Sequence, residues 1–218
     1  MQIHQLSKNT SVLDQFLFEI RSKSIQKDSM RFRRNIERIG EILSFEMSKV
    51  LEVTPVVAET PLGEKNMFVP KNDLVICSIL RAGLNLHTGV LNYFDRAENA
   101  FISAYRKHDE AYPSNFKILV DYMACPDLND KVLILVDPML ATGRSLSLTY
   151  DALLKHGQPK VVHVLSVIGS KEGVNNVEAT FPGNSHLWIA DIDDDLDDNA
   201  YIIPGLGDAG DLSYGKKL

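Results

Sequence analysis

Apolar residues follow two patterns along the chain. In the first fifty residues they recur at helical spacing, with Val12, Leu13, Phe16, Leu17 and Ile20 on one stripe and Phe32, Ile36, Ile39 and Leu43 on another, which predicts two helices joined by a polar linker. From there on, short apolar runs alternate with helix-length segments. Strands are predicted at 53–59, 74–80, 100–105, 116–123, 131–137, 161–168 and 186–190, and helices at 84–94, 145–155 and 171–179. The run Val132-Leu-Ile-Leu-Val136 does not alternate, as befits a strand covered on both faces. Strands of this kind interleaved with helices predict an α/β domain with a mostly parallel sheet. No internal repeat or low-complexity linker divides the chain, so 1–218 reads as one domain.

Composition adds constraints. Hydrophobic residues make up 44% and charged residues 24%, close to the soluble globular average. No apolar run approaches the roughly 18 residues of a membrane helix, and the polar N-terminus lacks a secretory h-region. Two isolated cysteines, Cys77 and Cys125, make no disulfide framework, which points to a reducing cytoplasm. The net charge of -6 argues against a broad nucleic-acid or anionic-membrane surface. Six of the 29 acids sit within 191–198, and without them acids and bases balance. The default reading of that run is a solvated loop. Arg21, Lys23, Lys27, Arg31, Arg33, Arg34 and Arg38 form a basic set interleaved with Asp28, Glu37 and Glu41, which reads as a solvated helix face or, more sharply, as a contact with a partner subunit.

In α/β sheets ligands bind beyond the carboxyl ends of the strands, and three loops there carry distinctive chemistry. The first is Asp137-Pro-Met-Leu-Ala-Thr142-Gly143-Arg-Ser145, between a buried strand and a helix. Its hydroxyls and backbone N–H groups lie at a helix N-terminus, where unpaired donors and the helix dipole favour a phosphate. Lys is absent from the loop, so it is not a Walker A motif. Three roles suit Asp137: capping a helix, holding sugar hydroxyls, or orienting metal-bound water. In the second loop Arg81 precedes Ala82-Gly83, a setting for an oxyanion, and Arg106 ends another strand. The third loop, 201–211, matches Gly-x-Gly-x-x-Gly at 205–210, but too few residues follow for a dinucleotide-binding unit. What remains is a glycine-rich loop whose backbone can approach a flat polar ligand, with Asp208 at hand.

Other chemistry lacks its spacing. The six histidines show no metal pattern and read as structural or exposed, and no Gly-x-Ser-x-Gly elbow occurs. Asp191, Asp193 and Asp195 start an EF-hand register that fails at Leu196 and Ile202.

Taken together, Ile79-Leu-Arg81-Ala-Gly-Leu, Tyr105-Arg106, 137–145 and 201–211 resemble the uracil phosphoribosyltransferases, members of the type I phosphoribosyltransferases, over the chain from about residue 30 onward. Type I relatives usually have two adjacent acids at the strand end, and Asp137-Pro138 is the version of the uracil enzymes. The resemblance implies a parallel twisted sheet with a small hood from the N- and C-terminal segments: a helical arm over 1–50, a core over 51–190 and a uracil-binding flap over 191–218. It implies transfer of phosphoribose from 5-phosphoribosyl 1-diphosphate (PRPP) to uracil, with Mg²⁺, giving UMP and diphosphate in pyrimidine salvage. By the same resemblance, Asp137, Pro138, Met139, Leu140, Ala141, Thr142, Gly143, Arg144 and Ser145 cradle the 5-phosphate and ribose, and Arg81 and Arg106 bind the diphosphate. Ile202, Gly207, Asp208 and Ala209 receive uracil, Asp208 reaches PRPP, Arg106 and Asp208 are catalytic, and Asp137 meets the metal directly or through water.

The resemblance further implies a homodimer or higher homo-oligomer, with the amphipathic N-terminal helices suited to the subunit interface, and the cysteine and charge arguments add a cytoplasmic location with no nucleic-acid or membrane partner. Because those helices match loosely, the GTP activation of some members is not carried over. Two positions depart from the family: Arg144 stands where Gly is common, and Ala200 where Gly usually precedes the tyrosine. The alternatives are an RNA-binding regulator of pyrimidine genes on the same fold, or an inactive nucleotide-binding relative.

Overall fold

The computed structural model describes residues 1–108 and 116–217, and for 104–108 and 116–120 the backbone only. In chain order the elements are β1 (Gln2–Gln5), α1 (Val12–Arg21), α2 (Ser29–Ser48), β2 (Val53–Thr60), β3 (Gly63–Pro70), β4 (Leu74–Leu80), α3 (Leu84–Leu91), β5 (Glu98–His108) and β6 (Phe116–Ala124). There follow β7 (Val132–Val136), β8 (Met139–Leu140), α4 (Arg144–Leu153), β9 (Val161–Ser170), α5 (Lys171–Thr180), β10 (His186–Asp193), β11 (Asp195–Leu196), β12 (Ile202–Ile203) and α6 (Ala209–Tyr214).

The main sheet runs β1-β10-β9-β7-β4-β5-β6, with β8 also on β9. Only β5 and β6 pair antiparallel within it. The non-alternating apolar strands are explained by the two layers they separate. Leu74, Ile76, Ile134 and Val136 face a core shared with α1, α2 and α3, whereas Val75, Cys77, Leu133 and Leu135 face one shared with α4 and α5. Each such side chain, fully buried, contributes about 2 kcal/mol over an exposed one.

Local signals set the helix boundaries. Ser11 caps α1, accepting the Leu13 N–H while its own N–H donates to Asp14 Oδ2 at 2.9 Å. Asp28 caps α2 through the Arg31 N–H at 3.1 Å. Helices α2 and α3 pack so closely that a Cβ at Gly89 would lie 2.1 Å from Glu37 O.

Several expectations change. The four-residue strand β1 escaped the pattern because its QIHQ sequence is mostly polar. The strand expected at 53–59 has an antiparallel partner, β3, and this hairpin stands as its own two-stranded sheet. Leu13, Leu17, Ile20, Phe32, Ile36, Ile39 and Leu43 of the two stripes are buried in the chain's own core, which accounts for their spacing, whereas Val12 is exposed.

Topology then locates the crevice. From β4 the chain crosses through α3 to β5 on one side, and from β7 through α4 to β9 on the other. The loops after β4 and β7 therefore diverge at the point where strand order reverses, the usual ligand site of such sheets.

Candidate active site

Asp137 follows β7 at that crevice. Its N–H donates to Leu165 O at 3.2 Å, and its Oδ1 accepts the Met139 N–H at 3.2 Å. Burial pushes the carboxyl up to about 6, against the opposing influence of that N–H. From here the loop is pinned to the neighbouring unit. Pro138 O accepts the N–H groups of Val167 and Ile168, Ser170 Oγ donates to Ala141 O at 2.6 Å, and Asn176 Nδ2 donates to Thr142 O at 2.7 Å. Gly143, at φ +74°, turns the chain into α4. A cavity of about 60 Å³ lies inside the loop, lined by Asp137, Thr142, Gly143 and Ser145 among others. It lies at a helix N-terminus, a setting that favours an anion.

Arg81 follows β4 across the crevice, after a cis Leu80–Arg81 peptide. Its Nη2 donates to Asp211 Oδ1 at 2.8 Å and to Gly215 O at 2.6 Å. Its Nε is buried and has no hydrogen-bond partner among the described residues. A desolvated guanidinium donor without an acceptor is costly, so an anion entering here gains a strong bond. Gly83 serves the sheet, not a ligand: a Cβ there would lie 2.6 Å from Ser78 Oγ and 2.9 Å from Val136 O.

The glycine-rich loop closes the cavity from above. Strands β11 and β12 form a small antiparallel pair, the Ile203–Pro204 peptide is cis, and Gly205 and Gly207 take φ +57° and +94°. Asp208 caps α6, its Oδ1 accepting the Asp211 N–H at 2.8 Å. A cavity of about 290 Å³ brings together Arg81, Asp137, Ser145, Gly207, Asp208 and Ala209, with Met139 and Ala141 also on its wall. The Ile202 side chain is buried in the core. Pro138 is buried beneath the loop, Leu140 lines the smaller cavity, and Arg144 begins α4. The Arg106 side chain lies outside the described residues.

The loop at the α4 N-terminus, an arginine with an unsatisfied donor and the glycine-rich loop thus meet at two adjoining cavities. The family model for uracil phosphoribosyltransferase matches residues 7–216. The chain belongs to the uracil phosphoribosyltransferase family. A uracil phosphoribosyltransferase of Porphyromonas gingivalis is 50% identical over all 218 residues, covering 100% of each chain. The structure of the AQ2163 protein of Aquifex aeolicus superposes with a TM-score of 0.85 at 28% identity, covering 98% of both chains. A purine phosphoribosyltransferase of Pyrococcus horikoshii, at 14% identity and TM-score 0.50 over 74% of this chain and 91% of that one, shares the type I phosphoribosyltransferase fold.

Within this uracil phosphoribosyltransferase fold the acidic run departs from a solvated loop. Asp191 and Asp193 lie on β10 and both bind Arg21 at 2.8 Å. Asp197 Oδ1 accepts the N–H groups of Asn199 and Tyr201, closing the β11–β12 turn, and Ala200 sits in that turn at φ +62°. A positive φ of this kind is one that glycine takes without strain. Asp194, Asp195 and Asp198 are exposed and do fit the solvated reading, and the exposed Asp194–Lys171 pair contributes little. Ser170, Gly173 and Asn176 were missed: a Cβ at Gly173 would lie 2.2 Å from Ala141 O. Ser170 also caps α5 through the Gly173 N–H, so a Ser-x-x-Gly helix start was the available signal.

The cavity suits magnesium of one kind. Among the described residues no three metal-ligating side chains cluster, and Asp137 is the carboxylate at the strand end. With two carboxylates on its wall, Asp137 and Asp208, the cavity fits an ion whose remaining ligands would be substrate oxygens and water.

Proposed function

We propose that this cavity joins uracil to PRPP with magnesium, giving UMP and diphosphate. The supporting observation is a pair of adjoining cavities with Asp137 and Ser145 on the wall of both: one lies inside loop 137–145, and the other is lined by Arg81 and residues 207–209. Thr142, Gly143 and Ser145 hold the 5-phosphate at the α4 N-terminus. Asp137 holds the ribose hydroxyls. Arg81 and Arg106 take the leaving diphosphate, while Ile202, Gly207 and Ala209 present backbone groups to uracil's edge and Asp208 reaches PRPP.

In the reaction, uracil N1 forms the bond to ribose C1 as the C1–O bond to diphosphate breaks, and the N1 proton is released. Bound magnesium would neutralise charge on the leaving diphosphate. The chain's own contribution is to position the base against C1 and to stabilise the departing anion with preorganised donors. A cytoplasmic location belongs to this reading, and the two free cysteines suit it.

So does a homodimer. The β2–β3 hairpin exposes Val57, Leu62, Met67 and Phe68, a patch a second copy would cover. Light scattering at working concentration is expected to give a dimer, and a monomer counts against it.

The deciding assay is UMP formation from uracil and PRPP with Mg²⁺, beside an Asp208→Ala variant. UMP from the unaltered protein and a fall of about 100-fold in the variant are expected, on the scale of losing one positioned group. No UMP from the unaltered protein overturns the reading.

A further inference from the structure

The glycine-rich flap is held from the opposite end of the sequence. Arg21, the last residue of α1, is wedged between the flap and β10. Its Nη1 donates to Asp193 Oδ2 at 2.8 Å and to Gly205 O at 3.0 Å, and its Nη2 donates to Asp191 Oδ2 at 2.8 Å and Asp193 Oδ1 at 3.0 Å. Asp193, only 7% exposed, also accepts the Gly205 N–H at 3.2 Å. One ion pair thus fixes both backbone polar groups of Gly205. At the next residue, Gln26 Nε2 donates to Leu206 O at 3.0 Å and ties it to Ile20 O at 2.7 Å. Gly207 follows directly. Gly205 itself can carry no side chain that would anchor the turn, because a Cβ would lie 2.1 Å from Ile202 O.

We propose that Arg21 is a positioning residue for the base half of the site: braced by Asp191 and Asp193, its guanidinium sets where residues 205–209 present their backbone to the ligand. The proposal rests on the reading that residues 202–209 receive uracil's edge. Arg21 does not line the substrate cavity, so it acts through Gly205. The chemistry requires arginine. Two carboxylates and a carbonyl are met at once by a planar fork with five donors, whereas a lysine ammonium is a point charge that cannot span them. Recognition by backbone groups tolerates little displacement, since an error of about 1 Å can cost about 100-fold.

Arg21→Lys keeps a cation facing the two carboxylates and removes the fork. Its uracil KM is expected to rise about tenfold, with PRPP KM and kcat at saturating uracil within about twofold of the unaltered protein, because only base positioning is lost. Asp191→Asn, which leaves the Asp193 bridge to Gly205 intact, is expected to raise uracil KM by about threefold. Should the lysine variant fail to fold, this arm decides. Gly207→Ala, at φ +94°, disturbs the flap directly and checks the underlying reading. A raised uracil KM in Gly207→Ala with none in the Arg21 and Asp191 variants overturns the proposal alone. An unchanged uracil KM in all of them overturns the flap reading with it. Parallel rises in both KM values reduce Arg21 to general stability and also overturn it.

Discussion

The loop after β7 and the flap after β11 face each other across one cavity, yet they are held in different ways. Loop 137–145 is tied to the elements that come next: Ser166, Ser170 and Asn176 reach it from 29 to 34 residues away. The flap is tied to Arg21 and Gln26, from 180 to 184 residues away. One half of the site is thus the product of the consecutive elements β7 to α5, and the other is assembled from remote segments. The first kind of support is backbone and small residues in close packing. The second is a charged fork with carboxylates, open to solvent on one side and exchangeable by mutation.

Gly173→Ala tests the near-neighbour half and should have the largest effect. Its Cβ would meet Ala141 O at 2.2 Å and Leu140 O at 2.5 Å, both backbone atoms, so the loop must shift. The expected result in steady-state kinetics is a fall of about 100-fold in kcat/KM for PRPP, with uracil KM much less affected. Equal losses for both substrates would erase the distinction between the halves.

Acid should act on the floor they share. His163 and His186 are paired across β9 and β10, the strands that end at Ser170 under the loop and Asp193 under the flap. Burial, with His186 and then His4 adding to it, holds the His163 pKa down at about 3, and its Nδ1 accepts the Trp188 Nε1–H at 3.1 Å. The neutral ring is favoured in the folded state, so the unfolded chain takes up a proton first. The contribution of this group to stability is therefore complete above about pH 6.5 and is lost progressively as pH falls toward about 3, by about 1.4 kcal/mol for each pH unit in between. Thermal melts of His163→Asn should show a flatter acid limb than the unaltered protein. An unchanged limb would place the acid sensitivity elsewhere.

The smallest effect is a gain. Ala200 occupies the left-handed region at φ +62°, where a Cβ costs about 1 kcal/mol. Ala200→Gly should raise the urea midpoint correspondingly while PRPP kinetics stay unchanged. A lowered midpoint would mean that the Ala200 methyl contributes packing that outweighs the backbone term.

The same contrast governs what the sequence made legible. The parallel sheet, the anion loop and its Asp137 could be read because each rests on a local pattern: an apolar run, a helix start, glycine at a turn. Strand β1 could not, since a mostly polar QIHQ becomes a strand only by pairing with β10. Strand β3 was hidden because it is exposed along its whole length and carries no inward face. The acidic run was read as composition, and its roles on β10 and in the β11–β12 turn depend on Arg21 and on a backbone geometry that no spacing announces. Gly83 was read as making room for a ligand, whereas it makes room for Ser78 and β7.

The distance between Arg21 and its acceptors also has a temporal side. A nascent chain delivers α1 to the ribosome surface long before Asp191, Asp193 and Gly205 are synthesised. The partners of the anion loop, Ser166, Ser170 and Asn176, are all made before the carboxylates that Arg21 requires. The contacts of Arg21 are therefore among the last the molecule can form, and a stalled or clipped polypeptide lacking this segment would lose not only the flap but also Ile202, Leu206 and Ala209 from the core.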